Sequence, residues 1–389
     1  MTMAPRELLQ IAFPEADLGY PTISKTPTSI GAFIGTTQTG PLNQPVRLNG
    51  VADFLAVFGE FDPAHEVGYA ISQFFKNGGQ EAWFVRIERD VRAFHFIGDA
   101  SARTGLYALD WVDLFNLLCI PGLAGLPDGE LCSAVVAISQ YCQNRRVFFL
   151  FDPPAGITDP NTLKHWLSEH ESLRHPNIAS FFPRLKIVDP LNMNLHRMVG
   201  PAATVAGALV RNDLNHNVWT EPSGGDLPLL GVIGLEYDVS EAELALLNSL
   251  GVNGIRKFGE FGTVIAGSKT TIGIEKFNSD WCSIPARRLA LMIQESLYRG
   301  TEWVSAKSND TRLWTDLRRQ VNEFMGQLYR ERAFQGEDSS QAFFVKCDDQ
   351  LNPLQDQSRN LVNLLVGFAP SLPGKFVMLK LRRRVRKAS

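Results

Sequence analysis

The sequence predicts a mixed α/β protein, and three observations carry that expectation. Residues 115–121 (FNLLCIP) and 146–151 (RVFFLF) are short, nearly unbroken apolar runs, and between them Val135, Val136, Ile138 and Tyr141 trace a helical pattern. A strand, a helix and a strand in that order form a β-α-β unit with a parallel sheet, whose strands are covered on both faces. Residues 27–96 read β–β–α–α–β, and two long amphipathic helices follow at 286–304 and 311–329.

Taken in order, residues 1–26 contain Pro5, Pro14 and Pro21 and no long periodic segment, so they are expected to form an extended arm. Residues 30–34 form a strand that feeds a Gly/Pro/Asn-rich turn, and 45–48 form a second strand. The helix after it buries Phe54, Leu55 and Phe58. A helix over 67–76 turns Ala70, Ile71, Phe74 and Phe75 inward and stops at Asn77-Gly78-Gly79, residues that tolerate the left-handed backbone past a helix end. Residues 81–87 (EAWFVRI) read as a buried strand. In the middle of the chain, 201–210 is a helix of small residues, and 229–235 leads to an acidic helix over 241–250. Strands are expected at 254–258, 263–268, 341–347 and 361–368. In the helix 311–329, Leu313, Leu317, Val321, Phe324 and Leu328 recur at spacings of three and four, one buried stripe. The last strand, 375–381 (KFVMLKL), has no hairpin partner immediately beside it and runs into a basic tail, 382–389.

Composition narrows the function classes. A chain of 389 residues suggests two or three domains, and 44% hydrophobic with 20% charged residues is a globular balance. A formal net charge of -3 excludes a bulk nucleic-acid binder. The five cysteines, Cys119, Cys132, Cys142, Cys282 and Cys347, form no C-x-x-C pair and no zinc pattern, and fit buried thiols in a reducing cytoplasm. No signal peptide is read, and no run approaches the roughly 18 apolar residues that span a membrane. The chain is expected to fold in the cytoplasm and, if it leaves the cell, to do so by lysis as part of a larger object.

The segment GPLNQPVRLNGVADFLAVFG, the segments FFPRLKIVDP, VGPAATVAGALVRND, NVWTEP and LNSLGVNGIRKF, and above all RRLALMIQESLYRGTEWVSAKSNDTRLWTDLRRQVNEFMGQLYRERAFQG, AFFVKCDD and VGFAPSLPGKFVMLKL occur in one order along the chain. Together they resemble the contractile tail-sheath family of phage tails and bacterial injection particles. The resemblance implies a discontinuous core domain, 27–96 plus 254–374, facing an inner tube. It implies an inserted outer α/β domain over 97–253 and extended arms at 1–26 and 375–389 that add strands to neighbouring subunits. The insertion is compact, and the tail RRRVRKAS is more basic than the resemblance implies. The implied partners are copies of the chain in a helical lattice, an inner tube protein, and baseplate and cap proteins. No small-molecule substrate, nucleic acid, cofactor, metal or direct membrane insertion is expected. The implied product is a virion or a released extracellular particle.

Site residues follow from both readings. Phe376, Val377, Met378, Leu379 and Leu381 are the expected interface strand, because a strand apolar on both faces wants burial on both. Arg287, Arg288, Arg312, Arg318 and Arg319 on the two C-terminal helices are candidates for tube contact, with ordinary solvated faces as the alternative. GTVIAGSKT (262–270) resembles a phosphate loop, but Ser268 displaces Lys269 by one position and the apolar run reads as a strand. His165, His170 and His175 recur every five residues, a spacing that rotates each off the previous one, and are expected on a solvated helical surface. Asp152 ends a sheet strand, where α/β folds place ligands, without a partnered nucleophile. Two further readings stay open: a non-contractile cap or scaffold of the same fold, and an enzyme or nucleotide binder built on the 115–155 unit.

Overall fold

A computed structural model of the protein describes residues 22–89, 92–273 and 280–386. The first elements are β1 (Ile30–Thr36), β2 (Pro45–Leu48), α1 (Val51–Phe58), α2 (Val67–Lys76), β3 (Glu81–Ile87) and α3 (Ala93–Ile97). The chain continues through β4 (Leu117–Cys119), α4 (Asp128–Arg145), β5 (Phe148–Phe151), α5 (Pro160–Glu169) and β6 (Ile178–Phe182). Next come β7 (Leu185–Asp189), β8 (Asn192–Val199), α6 (Ala202–Asn215), β9 (Val232–Leu235), α7 (Glu241–Leu250), β10 (Val252–Lys257) and β11 (Thr263–Ala266). The C-terminal part holds α8 (Ile284–Gly300), α9 (Thr311–Arg330), α10 (Ser339–Ala342), β12 (Phe343–Lys346), α11 (Leu354–Ser358), β13 (Leu361–Phe368) and β14 (Val377–Arg384).

Among the described residues the strands fall into three sheets. The largest runs β11-β10-β6-β5-β4-β1-β3-β2, parallel from β10 to β3 and closed by the antiparallel edge strands β11 and β2. The β4–α4–β5 unit is parallel, as its apolar runs imply. Side chains alternate across the sheet. Phe33, Phe84, Phe148 and Phe181 belong to the core under α2 and α6, whereas Ala32, Ile34, Val85 and Phe149 belong to the core under α4. Burial on both faces explains why these strands read as continuous hydrophobic runs. Helices α2 and α6 approach so closely at Gly207 that a Cβ there would lie 2.2 Å from the Phe74 carbonyl oxygen.

Strands on both sides of the expected boundaries at residues 96/97 and 253/254 share this sheet. β1 pairs with both β3 and β4, and β6 pairs with β10, so strands from the N-terminal segment, the middle segment and the residues around 254 share one sheet. The run β6-β5-β4 would by itself leave two unpaired edges, and β10 and β1 pair with them. Within that middle segment the part that stands apart from the large sheet is β8-β7-β9. The second separate sheet is β12-β13-β14, which packs on α8 and α9 over its own core.

Helix α8 joins the two bodies. Ile284 and Leu291 belong to the core of the large sheet, while Leu289, Ile293 and Leu297 belong to the C-terminal core. The helix is therefore enclosed around most of its circumference, and its charges are enclosed with it. Arg288 makes a two-pronged contact with Asp213 of α6, at 2.8 and 2.5 Å, and also donates to the Thr28 carbonyl at 3.2 Å. The Arg288 and Asp213 side chains are 4% and 3% exposed, and Thr28 donates its hydroxyl to the same carboxylate at 2.6 Å.

Asp152, directly after β5, starts α6. Its Oδ1 accepts the Ala202 N–H at 2.8 Å, one of the donors a helix leaves unpaired at its positive end. Gly200 is pressed against this carboxylate; a Cβ there would lie 2.3 Å from Oδ2. Burial first, and the nearby Glu66 second, push the Asp152 carboxyl up to about 7, against the opposing pull of the Ala202 N–H and Arg184.

Two outcomes are expected. Arg288→Ala strands a buried carboxylate and lowers the unfolding free energy by about 3–5 kcal/mol in denaturant titrations, whereas Arg288→Met combined with Asp213→Leu recovers most of that loss. Asp152 has a folded pKa above the unfolded value of about 3.9, so its protonated form stabilises fully below that pH and the contribution is lost as pH rises to about 7. Asp152→Asn is then expected to gain about 1–3 kcal/mol on the native protein between pH 4 and pH 8 in urea unfolding; a pH-independent difference would show an ordinary carboxyl.

Candidate functional site

The C-terminal strand expected to seek a neighbour's sheet already has a partner in its own chain. β14 pairs antiparallel with β13 along its whole length, from Val377 opposite Phe368 to Arg384 opposite Leu361. The hairpin went unread because Ala369–Phe376 separates the two strands with an irregular loop, too long for a tight-turn signal. Val377 and Leu379 are buried in the C-terminal core and Leu381 packs against it. Phe376 stands edge-on to Phe344, with ring centroids 5.1 Å apart. Met378 is 53% exposed, so one face of the strand is buried and not two.

The strand also runs three residues further than its apolar pattern, through Arg382, Arg383 and Arg384. These residues are not a free tail. Arg382 donates to Asn363 Oδ1 at 2.9 Å, and Arg383 donates to Thr301 Oγ1 at 3.2 Å. Arg383 lies over the Tyr298 ring at 4.2 Å, and Arg146 lies over the same ring at 4.2 Å. Lys387 lies outside the described residues, as do residues 1–21 of the expected arm. The described end of that arm lies along the C-terminal helices: Ile23 is buried, the Thr26 N–H donates to Ser296 Oγ at 2.9 Å, and Lys25 pairs with Glu331 at 2.6 Å.

Among the described residues, no strand pairs with the outer edges of β12 or β14. Such edges present unpaired backbone N–H and C=O groups, the template for strand addition. The exposed side of β14 carries Met378, Lys380, Arg382 and Arg384.

The candidate tube-contact arginines divide. Arg287 and Arg288 are buried, 7% and 5% exposed, and cannot reach another protein. Their place in the sequence resembles that of Arg318 and Arg319, but α8 is enclosed where α9 has an open face. Arg287 donates to Asn177 Oδ1 at 2.7 Å and stacks over Trp281 at 4.6 Å; burial brings its pKa down to about 10, still charged at neutral pH. Arg312 and Arg319 are exposed, and Arg319 pairs with Asp316 at 3.0 Å. Arg318 is half-buried and donates to the Cys347 carbonyl at 3.3 Å.

A cavity of about 350 Å³ opens at the carboxyl ends of β1 and β4, where the strand order reverses, lined by Thr36, His65, Glu66, Gly122 and Arg184. Its polar groups are already engaged. Glu66 accepts from Arg184 at 2.8 Å and from the Gly200 N–H at 2.7 Å, and His65 shares a 2.8 Å hydrogen bond with Thr36. Cys119 is held protonated by burial and, secondarily, by the charge of Asp152. In GTVIAGSKT, Thr263–Ala266 is the edge strand β11, and the Lys269 N–H donates to Asn253 Oδ1 at 2.6 Å, a turn and not a phosphate cradle.

The histidine reading needs correction. α5 ends at Glu169, so only His165 sits on an exposed helical face. His170 is part-buried against Trp166, and burial, then Arg287, brings His175 down to about 4.

No model of a known protein family matches the sequence, and no curated protein matches it. Solved structures do. The sheath of the extracellular contractile injection system PVC, in its contracted state, superposes with a TM-score of 0.73 at 20% identity over 97% of this chain and 98% of that one. The helical sheath of the anti-feeding prophage in its contracted state gives 0.73 at 20% identity, over 97% and 99%. A sheath tail protein of Desulfitobacterium hafniense gives 0.63 at 10% identity, over 94% and 98%. End to end, this chain has the fold of contractile-sheath subunits.

Proposed function

We propose that the protein is a structural, non-enzymatic subunit of a contractile sheath. Copies polymerise into a helical cylinder around an inner tube, and a change in their stacking drives the tube through a target envelope. The observation that carries this reading is the end-to-end likeness to the PVC sheath, which covers 97% of this chain and 98% of that one. A function made of subunit interfaces needs the whole surface of a fold, whereas a catalytic function needs one site. Baseplate and cap proteins would terminate the cylinder. The particle would be assembled inside the cell and released with it.

The open edges of β12 and β14 are the proposed docking points for strands from neighbouring copies, among them the segment before residue 22. Each added backbone hydrogen bond contributes about 0.5–1.5 kcal/mol net, so one strand supplies a few kcal/mol, repeated at every lattice point. Head-to-tail contacts that do not close generate helical filaments. Contraction would then be rotation and sliding of rigid bodies held by strand tethers, from a metastable extended lattice to a tighter one. The exposed Arg312 and Arg319 on α9, with Arg318 beside them, would set the register on a tube of opposite charge.

Electron microscopy of the purified chain tests the assembly: striated tubes support a sheath subunit, while short rings favour a cap of the same fold. Removal of residues 1–21 is expected to leave a folded monomer that forms no tubes, and normal tubes would remove the arm from the mechanism. Removal of 376–386 takes Val377 and Leu379 out of the C-terminal core and is expected to yield misfolded protein. Arg312→Glu with Arg319→Glu is expected to leave the thermal midpoint within about 2 °C while reducing co-sedimentation with tube protein at low salt. Unchanged co-sedimentation would place the tube contact elsewhere.

A further inference from the structure

We propose that Asp128, Cys132 and His170 bind a single zinc-class divalent cation. The sequence spacing that points to a metal, two ligands four residues apart on one helix face, is absent from the histidines but present in Asp128 and Cys132 at the start of α4. The fold then adds His170 from the end of α5, and one donor atom from each residue lies within 4.8 Å of the others.

The surroundings of the cluster favour a cation. His170 Nδ1 lies 2.7 Å from the Trp166 carbonyl oxygen. That oxygen can only accept, so Nδ1 carries a hydrogen, and Nε2 is the ring atom that can take a metal. Nε2 faces Asp128 Oδ2 at 2.9 Å, so the two atoms already converge as they would on a shared proton or a shared metal ion. The other carboxylate oxygen, Oδ1, accepts the Trp166 indole N–H at 2.7 Å, which aims Oδ2 at the cluster. Trp166 is stacked on His170 with centroids 4.9 Å apart and on Phe151 at 6.4 Å, so the residue that orients both ligands is itself held. A histidine anchored through its second nitrogen to a backbone carbonyl, beside a hydrogen-bonded carboxylate, is the supporting shell that metal ligands use.

The donor set selects the metal. A thiolate, an imidazole and a carboxylate suit a borderline ion such as Zn²⁺, whereas Mg²⁺ and Ca²⁺ require oxygen shells. Thiolate and carboxylate together neutralise the two positive charges, and water completes the tetrahedron. Binding forms a sulfur–metal bond and releases the Cys132 thiol proton to solvent. Bond lengths of about 2.0–2.3 Å place tetrahedral ligands roughly 3.3–3.7 Å apart. The Asp128–His170 pair must open slightly, which the 55% exposure of the Asp128 side chain permits. The ion would tie the crossover before β5 to the one after it.

The test uses the full chain, stripped with chelator under reducing conditions and titrated with Co²⁺ and with Zn²⁺. One Co²⁺ per chain is expected, with intense tetrahedral d–d bands and a sulfur-to-cobalt charge-transfer band. Cys132→Ser should abolish the charge-transfer band, and His170→Gln should weaken binding at least tenfold. Asp128→Asn, at an exposed position that does not threaten folding, should also weaken it at least tenfold. Cys282→Ser, the other partly exposed thiol, should change neither. Absence of saturable binding up to millimolar metal, a charge-transfer band that survives Cys132→Ser, or full affinity in Asp128→Asn overturns the proposal. None of these results depends on whether the chain forms sheaths.

Discussion

The enclosure of α8 is the constraint on which the rest of the molecule rests. This helix carries Arg287, Arg288 and Glu295, all buried, in a position where two hydrophobic cores meet. Removing such charges from water costs several kcal/mol each unless partners meet them in good geometry. Each of the three has a partner remote in sequence: Asp213 on α6 for Arg288, Asn177 before β6 for Arg287, and Arg146 after α4 for Glu295. Glu295 also holds Arg299 at 2.6 Å, which reaches Asp113 at 2.8 Å. Helix α8 is therefore fastened to the large-sheet body through directional bonds and to the C-terminal sheet through apolar contact.

The C-terminal sheet combines closure and openness. β14 is stitched to β13 and anchored by Val377, Leu379 and the contacts of Arg383 with Thr301 and Tyr298, so it is part of the fold of a single chain. Both outer edges of the same sheet remain unpaired among the described residues. An edge of this kind is ordinarily an aggregation hazard. In the proposed sheath, these edges would be where strands of neighbouring copies dock.

The parts of the fold legible in the sequence are those where one short-range rule decides the outcome. The helix α2 and the strands β3 and β13 occur where their apolar patterns place them, because burial on one or both faces imposes a pattern that few other structures tolerate. α9 runs Thr311–Arg330 on the stripe of Leu313, Leu317, Val321, Phe324 and Leu328. β8 is exposed over most of its length, so no buried face specifies it and its pairing with β7 depends on the backbone ladder. β6 is short and buried throughout, and its period does not distinguish it from a stretch of buried helix. The candidate site was legible as a strand, with Val377, Leu379 and Leu381 on one face and Met378 and Lys380 on the other, but its partner was not.

The sequence by itself determined the mixed α/β class, the strand nature of Thr263–Ala266 and the inward stripe of α9, because these follow from propensity and periodicity within about 20 residues. Tertiary structure alone decided which strands share a sheet, so that the middle segment joined β1 and β10 where a separate domain was expected. It decided that two arginines in an ordinary-looking helix are buried struts while Arg312 and Arg319 face outward. It brought His170 to Asp128 and Cys132 across a whole crossover. All three outcomes turn on contacts between residues far apart in the chain, and composition and spacing carry no record of those distances.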